Sequence, residues 1–204
     1  MITSLLGVAL AATVLMFPVG STLERHLAPV IEPYLAGGDI KVVATREGLT
    51  ETILYLEERA FGEPLSYRML TNGYSISGSD LIGQRYMKLF VYLPMALNPD
   101  ARSALLISYG VGNTAKALTN TAGLESIDVV DTSADVLELN RIVYPDERDL
   151  PLNDPRLAVH IEDGRYFLET TRRRFDLITG EPPPPKMAGI VSLYTREYFS
   201  LIYD

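Results

Sequence analysis

The residues with most chemistry in them form a spaced series. Leu105 to Thr114 reads LLISYGVGNT, an apolar run that enters Gly110-Val111-Gly112 and continues into Lys116-Ala117-Leu118. An apolar strand ending in Gly-x-Gly at the start of a helix makes a nucleotide cradle. The glycines let the backbone turn tightly and approach a ligand, and the helix start offers free N–H groups. Roughly 20 residues further on stands Asp131, at the end of Ser126–Val130, where a carboxylate can accept both hydroxyls of a ribose. Asp163 follows Arg156–Ile161 within Glu162-Asp163-Gly164, placed to accept from an adenine amino group. Glu181 follows Phe175–Thr179 and Gly180. A single carboxylate at a strand end is an ordinary helix cap, but three at successive ends beside a glycine turn describe a nucleoside site.

These positions require a frame. Strands over 104–108, 126–130, 156–161 and 175–179 alternate with helices over 114–121, 133–143 and 165–171. That is a β-α-β-α-β-α-β series, hence an α/β fold with a doubly wound, Rossmann-like parallel sheet, whose ligands lie beyond the carboxyl ends of the strands. Upstream, 41–45, 50–55, 65–70 and 74–77 read as short strands, with Asn72-Gly73 as a hairpin turn. Ser79-Asp80 caps a helix over 81–93, which Pro94 is expected to close. Tyr86 and Met87 fall on its adjacent faces, one toward the core and one toward a pocket; Tyr86 is the candidate substrate contact. Three regions follow: 1–38, a hydrophobic helix and linker; 39–78, a small antiparallel β region; and 79–204, the nucleoside-binding domain.

Composition narrows the possibilities. With 18 basic against 26 acidic residues the net charge is −8, which supplies no phosphate-neutralising excess for nucleic acid. There is no cysteine and there are two histidines, so disulfides, thiolate nucleophiles and Cys- or His-built metal sites are not expected. Residues 1–23 carry no charge. About 20 apolar residues cross a bilayer as a helix, so residues 1–20 are expected to span or embed in a membrane. A signal peptide fits less well, lacking a basic start, and a buried N-terminal helix stays open. Leu27–Gly38 reads as a linker.

In order, Tyr86-Met87-Lys88, Ser108 to Thr114, Val130-Asp131, Asn153 to Arg156, Glu162 to Arg165, Phe175 to Ile178 and Leu193 to Phe199 resemble the spermidine synthase family of polyamine aminopropyltransferases, in particular the bacterial branch in which such a domain follows a multi-helix membrane region. The resemblance runs from about Thr71 to Asp204 and implies a small β domain followed by a Rossmann-like domain. It also implies transfer of an aminopropyl group from decarboxylated S-adenosylmethionine, a co-substrate and not a tightly bound cofactor, to a small amine acceptor. By position it implies that Gly110 and Gly112 line the nucleoside, Asp131 takes the ribose, Asp163 with Gly164 meets the adenine, and Glu181 deprotonates the attacking amine. The family dimerises, so a homodimer is possible. The membrane branch implies a bacterial inner-membrane protein with its catalytic domain in the cytoplasm. The family continues past a point equivalent to Asp204, which suggests a C-terminally incomplete domain.

The departures are specific. The family's glycine turn carries an aspartate where this chain has Val111, a glutamine where it has Met87, and Asp-x-x-Asp where it has Glu181-Pro182-Pro183-Pro184. Three readings therefore stand side by side: an aminopropyltransferase, a methyltransferase using intact S-adenosylmethionine, and a non-catalytic adenosyl-sensing domain of a membrane protein.

Overall fold

A computed structural model describes residues 2–16, 27–180, 182–185, 187 and 189–203. The chain divides into two compact units, 1–37 and 38–204. The first holds α1 (Ile2–Met16) and α2 (Ala28–Leu35). Fifteen residues of α-helix rise about 22 Å, against about 30 Å of hydrocarbon in a bilayer. No helix among the described residues is long and apolar enough to cross a membrane, so the span expected over residues 1–20 finds no support. Pro18 and Gly20 lie outside the described residues. The linker expected over 27–38 is corrected to a helix across most of its length. Pro29 falls in the first turn of α2, where a helix needs no N–H donor.

The second unit opens with an antiparallel sheet of β1 (Asp39–Glu47), β2 (Thr52–Ala60), β3 (Glu63–Thr71) and β4 (Tyr74–Gly78), in the order β1-β2-β3-β4. Two tight turns set its register. At Asn72-Gly73 both residues have positive φ, 51° and 81°, the geometry that matches the twist of a two-residue hairpin. Phe61-Gly62, at 54° and 86°, joins β2 to β3 in the same way. The phenylalanine disguises that turn in the sequence, so β2 runs five residues past its expected end.

Next comes α3 (Leu81–Leu97), capped by the Asp80 carboxylate, which accepts from the N–H groups of Ile82 and Gly83. Pro94 does not close this helix, contrary to expectation. Proline removes the N–H that would bond the carbonyl four residues earlier. That carbonyl belongs to Phe90, and it accepts instead from the Thr179 hydroxyl at 3.3 Å. The helix therefore passes its proline with the orphaned acceptor satisfied.

The remaining elements are β5 (Ser103–Ile107), α4 (Asn113–Thr119), β6 (Ser126–Asp131), α5 (Ala134–Leu139), β7 (Leu157–Ile161), α6 (Gly164–Thr170), β8 (Leu177–Gly180) and α7 (Arg196–Tyr203). Their four strands form a parallel sheet in the order β7-β6-β5-β8. β5 is central and buried on both faces, as parallel strands covered by helices are. Ala104 and Leu106 join a cluster with Val129, Leu118 and, from the antiparallel sheet, Ile53, Tyr55 and Met69. Leu105 and Ile107 pack on the opposite side with Val130, Phe167, Leu193 and Tyr198. The fold is thus α/β, with a parallel sheet and a separate antiparallel one.

Space at the top of β5 is tight. A Cβ on Gly180 would lie 2.3 Å from the carbonyl oxygen of Ile107, on the paired strand. Gly180→Ala is therefore expected to lower stability by about 1–3 kcal/mol, as overpacking against fixed backbone does, read from urea denaturation midpoints at unchanged slope.

Candidate adenosyl-ligand site

A cleft of about 350 Å³ opens at the carboxyl ends of β5, β6 and β7, where the strand order reverses and ligands of such sheets bind. Its floor is the turn after β5. Ser108, at the strand tip, has φ 71°, and a non-glycine residue there holds strain of the kind found at functional sites. Gly110 and Gly112 are both left-handed, at 59° and 86°. What each glycine avoids lies within the protein. A Cβ on Gly110 would meet the Ser77 hydroxyl at 2.8 Å, and one on Gly112 would meet Tyr109 Oη at 2.9 Å and Asn140 Nδ2 at 3.0 Å.

The turn is braced from three sides. The N–H of Tyr109 donates to Asp131 Oδ2 at 2.8 Å, and that of Val111 to Ser77 Oγ at 3.2 Å. Asn140, fully buried, accepts from the Tyr109 hydroxyl at 2.6 Å and donates to the Val111 carbonyl at 2.9 Å. Burial pushes the Tyr109 phenol far above its ordinary range, so it remains a hydrogen-bond donor. The Val111 side chain is fully buried in the core and does not line the cleft.

The acids gather at one end. Asp131 lines the cleft, with Oδ1 accepting from the Ser133 N–H at 2.9 Å. Burial raises its pKa, and backbone donation from Tyr109, Ser133 and Thr132 opposes the rise. Each oxygen keeps a lone pair beyond its backbone bond, so the pair can still take a diol. Asp163 caps α6 through Tyr166 N–H at 2.9 Å and lines the same cleft with Glu162 and Gly164. The lining also includes Glu51, carried by the turn between β1 and β2. Burial raises the Glu51 carboxyl, the nearby Asp131 and Asp135 add to the rise, and the Ser133 hydroxyl opposes it.

Another part of the wall is apolar. Met69, Ile76 and Met87 line it from the antiparallel sheet and α3, and the Met87 sulfur accepts from Asn113 Nδ2 at 3.2 Å. Pro183, Met187, Ile190 and Leu193 line the cleft from the segment after β8.

Of the residues expected from sequence, the structure brings Gly110, Asp131, Asp163 and Gly164 together around this space. Gly112 lies behind the floor as the residue that starts α4. Tyr86 does not line the cleft; it meets Phe90 edge-on, with ring centroids 5.8 Å apart, and its neighbour Met87 takes the lining position. Glu181 lies outside the described residues. Glu51 and Asn140 are additions. The sequence offers no local signal for Asn140, which stands between Glu138 and Arg141 at a mixed helix end, and none for Glu51. Among the described residues no acidic or histidine cluster is suited to a metal.

Comparison with known proteins bears on the family and the fold. Residues 83–204 match the spermine/spermidine synthase domain family. A polyamine aminopropyltransferase of Streptococcus pneumoniae is 30% identical over 153 residues, covering 75% of this chain and 51% of that protein. One from Clostridium perfringens is 33% identical over 114 residues, covering 56% and 40%. The chain thus spans about half the length of the curated relatives it matches. A spermidine synthase solved with the transition-state analogue AdoDATO superposes with a TM-score of 0.69 at 21% identity, over 80% of this chain and 54% of that one. The Thermotoga maritima spermidine synthase gives 0.66 at 21% identity, over 80% and 53%. At that identity the likeness is one of fold.

Two outcomes are expected from this geometry. Val111→Asp places a carboxylate in the core, so it is expected to cost more than about 3 kcal/mol in chemical denaturation and not to supply an acid to the cleft. For Glu51, a pKa raised by folding adds stability below the ordinary carboxylate range, and this is lost as the pH rises through the raised value. Glu51→Gln is therefore expected to match or exceed the wild-type denaturation midpoint at about pH 7, with any excess vanishing near about pH 4.

Proposed function

This chain belongs to the spermine/spermidine synthase family, and from that premise we propose that it works in polyamine synthesis, moving an aminopropyl group from decarboxylated S-adenosylmethionine to a small amine. The observation that carries the reading is the convergence of Asp131, Glu162 and Asp163 from two adjacent strand tips onto one cleft floored by the braced glycine turn. Asp131 takes the ribose diol. Asp163 meets the adenine edge, and Gly164 beside it lets α6 start close against Ile107, where a Cβ would lie 2.5 Å from Cγ2. The sulfonium of the donor activates the carbon attached to it: the amine lone pair attacks that carbon, the C–S bond breaks, and its electrons stay on sulfur as a neutral thioether. The proton lost by the amine goes to Glu181, the proposed base, next in sequence to the end of β8. Holding amine and donor in line supplies much of the rate, and proton acceptance by a placed carboxylate adds to it.

Met87 lines the cleft where the family carries a glutamine, which admits one second reading, a methyl donor with its carboxylate intact. The product of turnover separates the two. The chain is incubated with decarboxylated S-adenosylmethionine and putrescine, and release of 5′-methylthioadenosine is followed. Release that needs both substrates is expected. Asp131→Asn and Asp163→Asn are expected to raise the donor KM about tenfold or more, because a charged acceptor for the sugar or base is lost. Production of S-adenosylhomocysteine from S-adenosylmethionine, with no thioadenosine released, contradicts the proposal.

A further inference from the structure

The turn between β1 and β2 reaches the acidic end of the cleft from the other sheet, and its attachment is specific. Arg46, near the end of β1, donates through Nη1 to Asp135 Oδ1 at 2.8 Å and lies 3.3 Å from Glu138 Oε2, both on α5. Gly48 fits so closely against α5 that a Cβ there would lie 2.4 Å from Asp135 Oδ2. The Gly48 N–H then closes the turn on the Glu51 carbonyl at 2.9 Å. A second tie holds the base of the turn: Thr52 N–H donates to Asn72 Oδ1 at 2.9 Å. The result is that Thr50 and Glu51 line the cleft opposite Asp131 and Thr132, in the loop that leads directly into α5.

The local charges explain why a cation is needed. Glu51, Asp131, Asp135 and Glu138 share this corner, and Arg46 pairs with two of them. The Glu51 carboxyl is raised by burial and by its acidic neighbours, so the turn sits against a repulsive field. Half-exposed ion pairs contribute little to global stability. Their effect here falls on where a short turn rests.

We infer that Arg46 is a positioning residue: its paired contact with Asp135 and Glu138 holds the 48–51 turn against α5 and sets the affinity of the cleft for its adenosyl ligand. This rests on the function proposed above. No route passes from Arg46 to the reacting atoms, so its effect belongs in binding more than in turnover.

The test uses the full chain, with 5′-methylthioadenosine as calorimetric probe and decarboxylated S-adenosylmethionine as kinetic donor. Arg46→Ala is expected to weaken probe binding about tenfold, to raise the donor KM by more than it lowers kcat, and to speed amide exchange at 48–51. Its melting temperature should stay close to wild type, and Arg46→Lys should recover most of the affinity. Wild-type affinity in Arg46→Ala, or a loss that only follows global unfolding, overturns the inference. Exchange in the unliganded chain separates it from the proposed function. Unchanged amides at 48–51 overturn the clamp whether or not any ligand binds, whereas a wild-type chain that binds no adenosyl compound while the amides still respond to Arg46→Ala overturns the proposed function, and with it the effect on affinity, but not the clamp.

Discussion

One hydrogen bond holds the site in register: the Tyr109 N–H to the Asp131 carboxylate at 2.8 Å. It ties the tip of β5 to the tip of β6, beside the point where strand order reverses. The same carboxylate accepts from Ser133 at the entry to α5. Asp131 is therefore both a strut and the proposed ribose acceptor. A donor bound there meets a group already fixed by backbone, and little ordering remains to be done on binding. Asn140 and Ser77 complete the brace from below and from the antiparallel sheet.

The two sheets share one core through Ile53, Tyr55, Met69 and the residues of β5 and β6. This is how the antiparallel sheet contributes to a site that the parallel sheet floors. It supplies the Ser77 hydroxyl, the apolar wall of Met69 and Ile76, and Glu51 on its turn. The cleft is accordingly uneven, with carboxylates toward β6 and β7 and thioethers and aliphatic chains elsewhere. Carboxylates suit the hydroxyls of a sugar and the amino edge of a base, and the apolar wall suits a neutral thioether such as that of 5′-methylthioadenosine.

Much of the parallel half was legible in the sequence, because each strand ends in a residue that breaks the apolar run: Ser108, Asp131, Glu162, Gly180. The Asn72-Gly73 turn was legible for the same local reason. What was hidden depended on partners far along the chain. Phe61 occupies a left-handed position that only the strand pairing makes evident. Pro94 looks like a helix stop until Thr179 is seen to take the Phe90 carbonyl. Val111 matches an acid in the family pattern, yet its side chain belongs to the core. Its replacement therefore says less about the ligand's tail than Met87 does, which lines the cleft. Glu51 and Arg46 are remote in sequence from every motif, and only the packing of β1 and β2 on α5 brings them to the site.

The most direct test is amide exchange across the chain, with and without saturating 5′-methylthioadenosine. Slowed exchange is expected at 108–112, at Thr132 and Ser133, and at the start of α6, the backbone that surrounds Asp131 and Asp163. Protection confined to other regions, or none at saturation, contradicts an adenosyl site at the carboxyl ends of these strands.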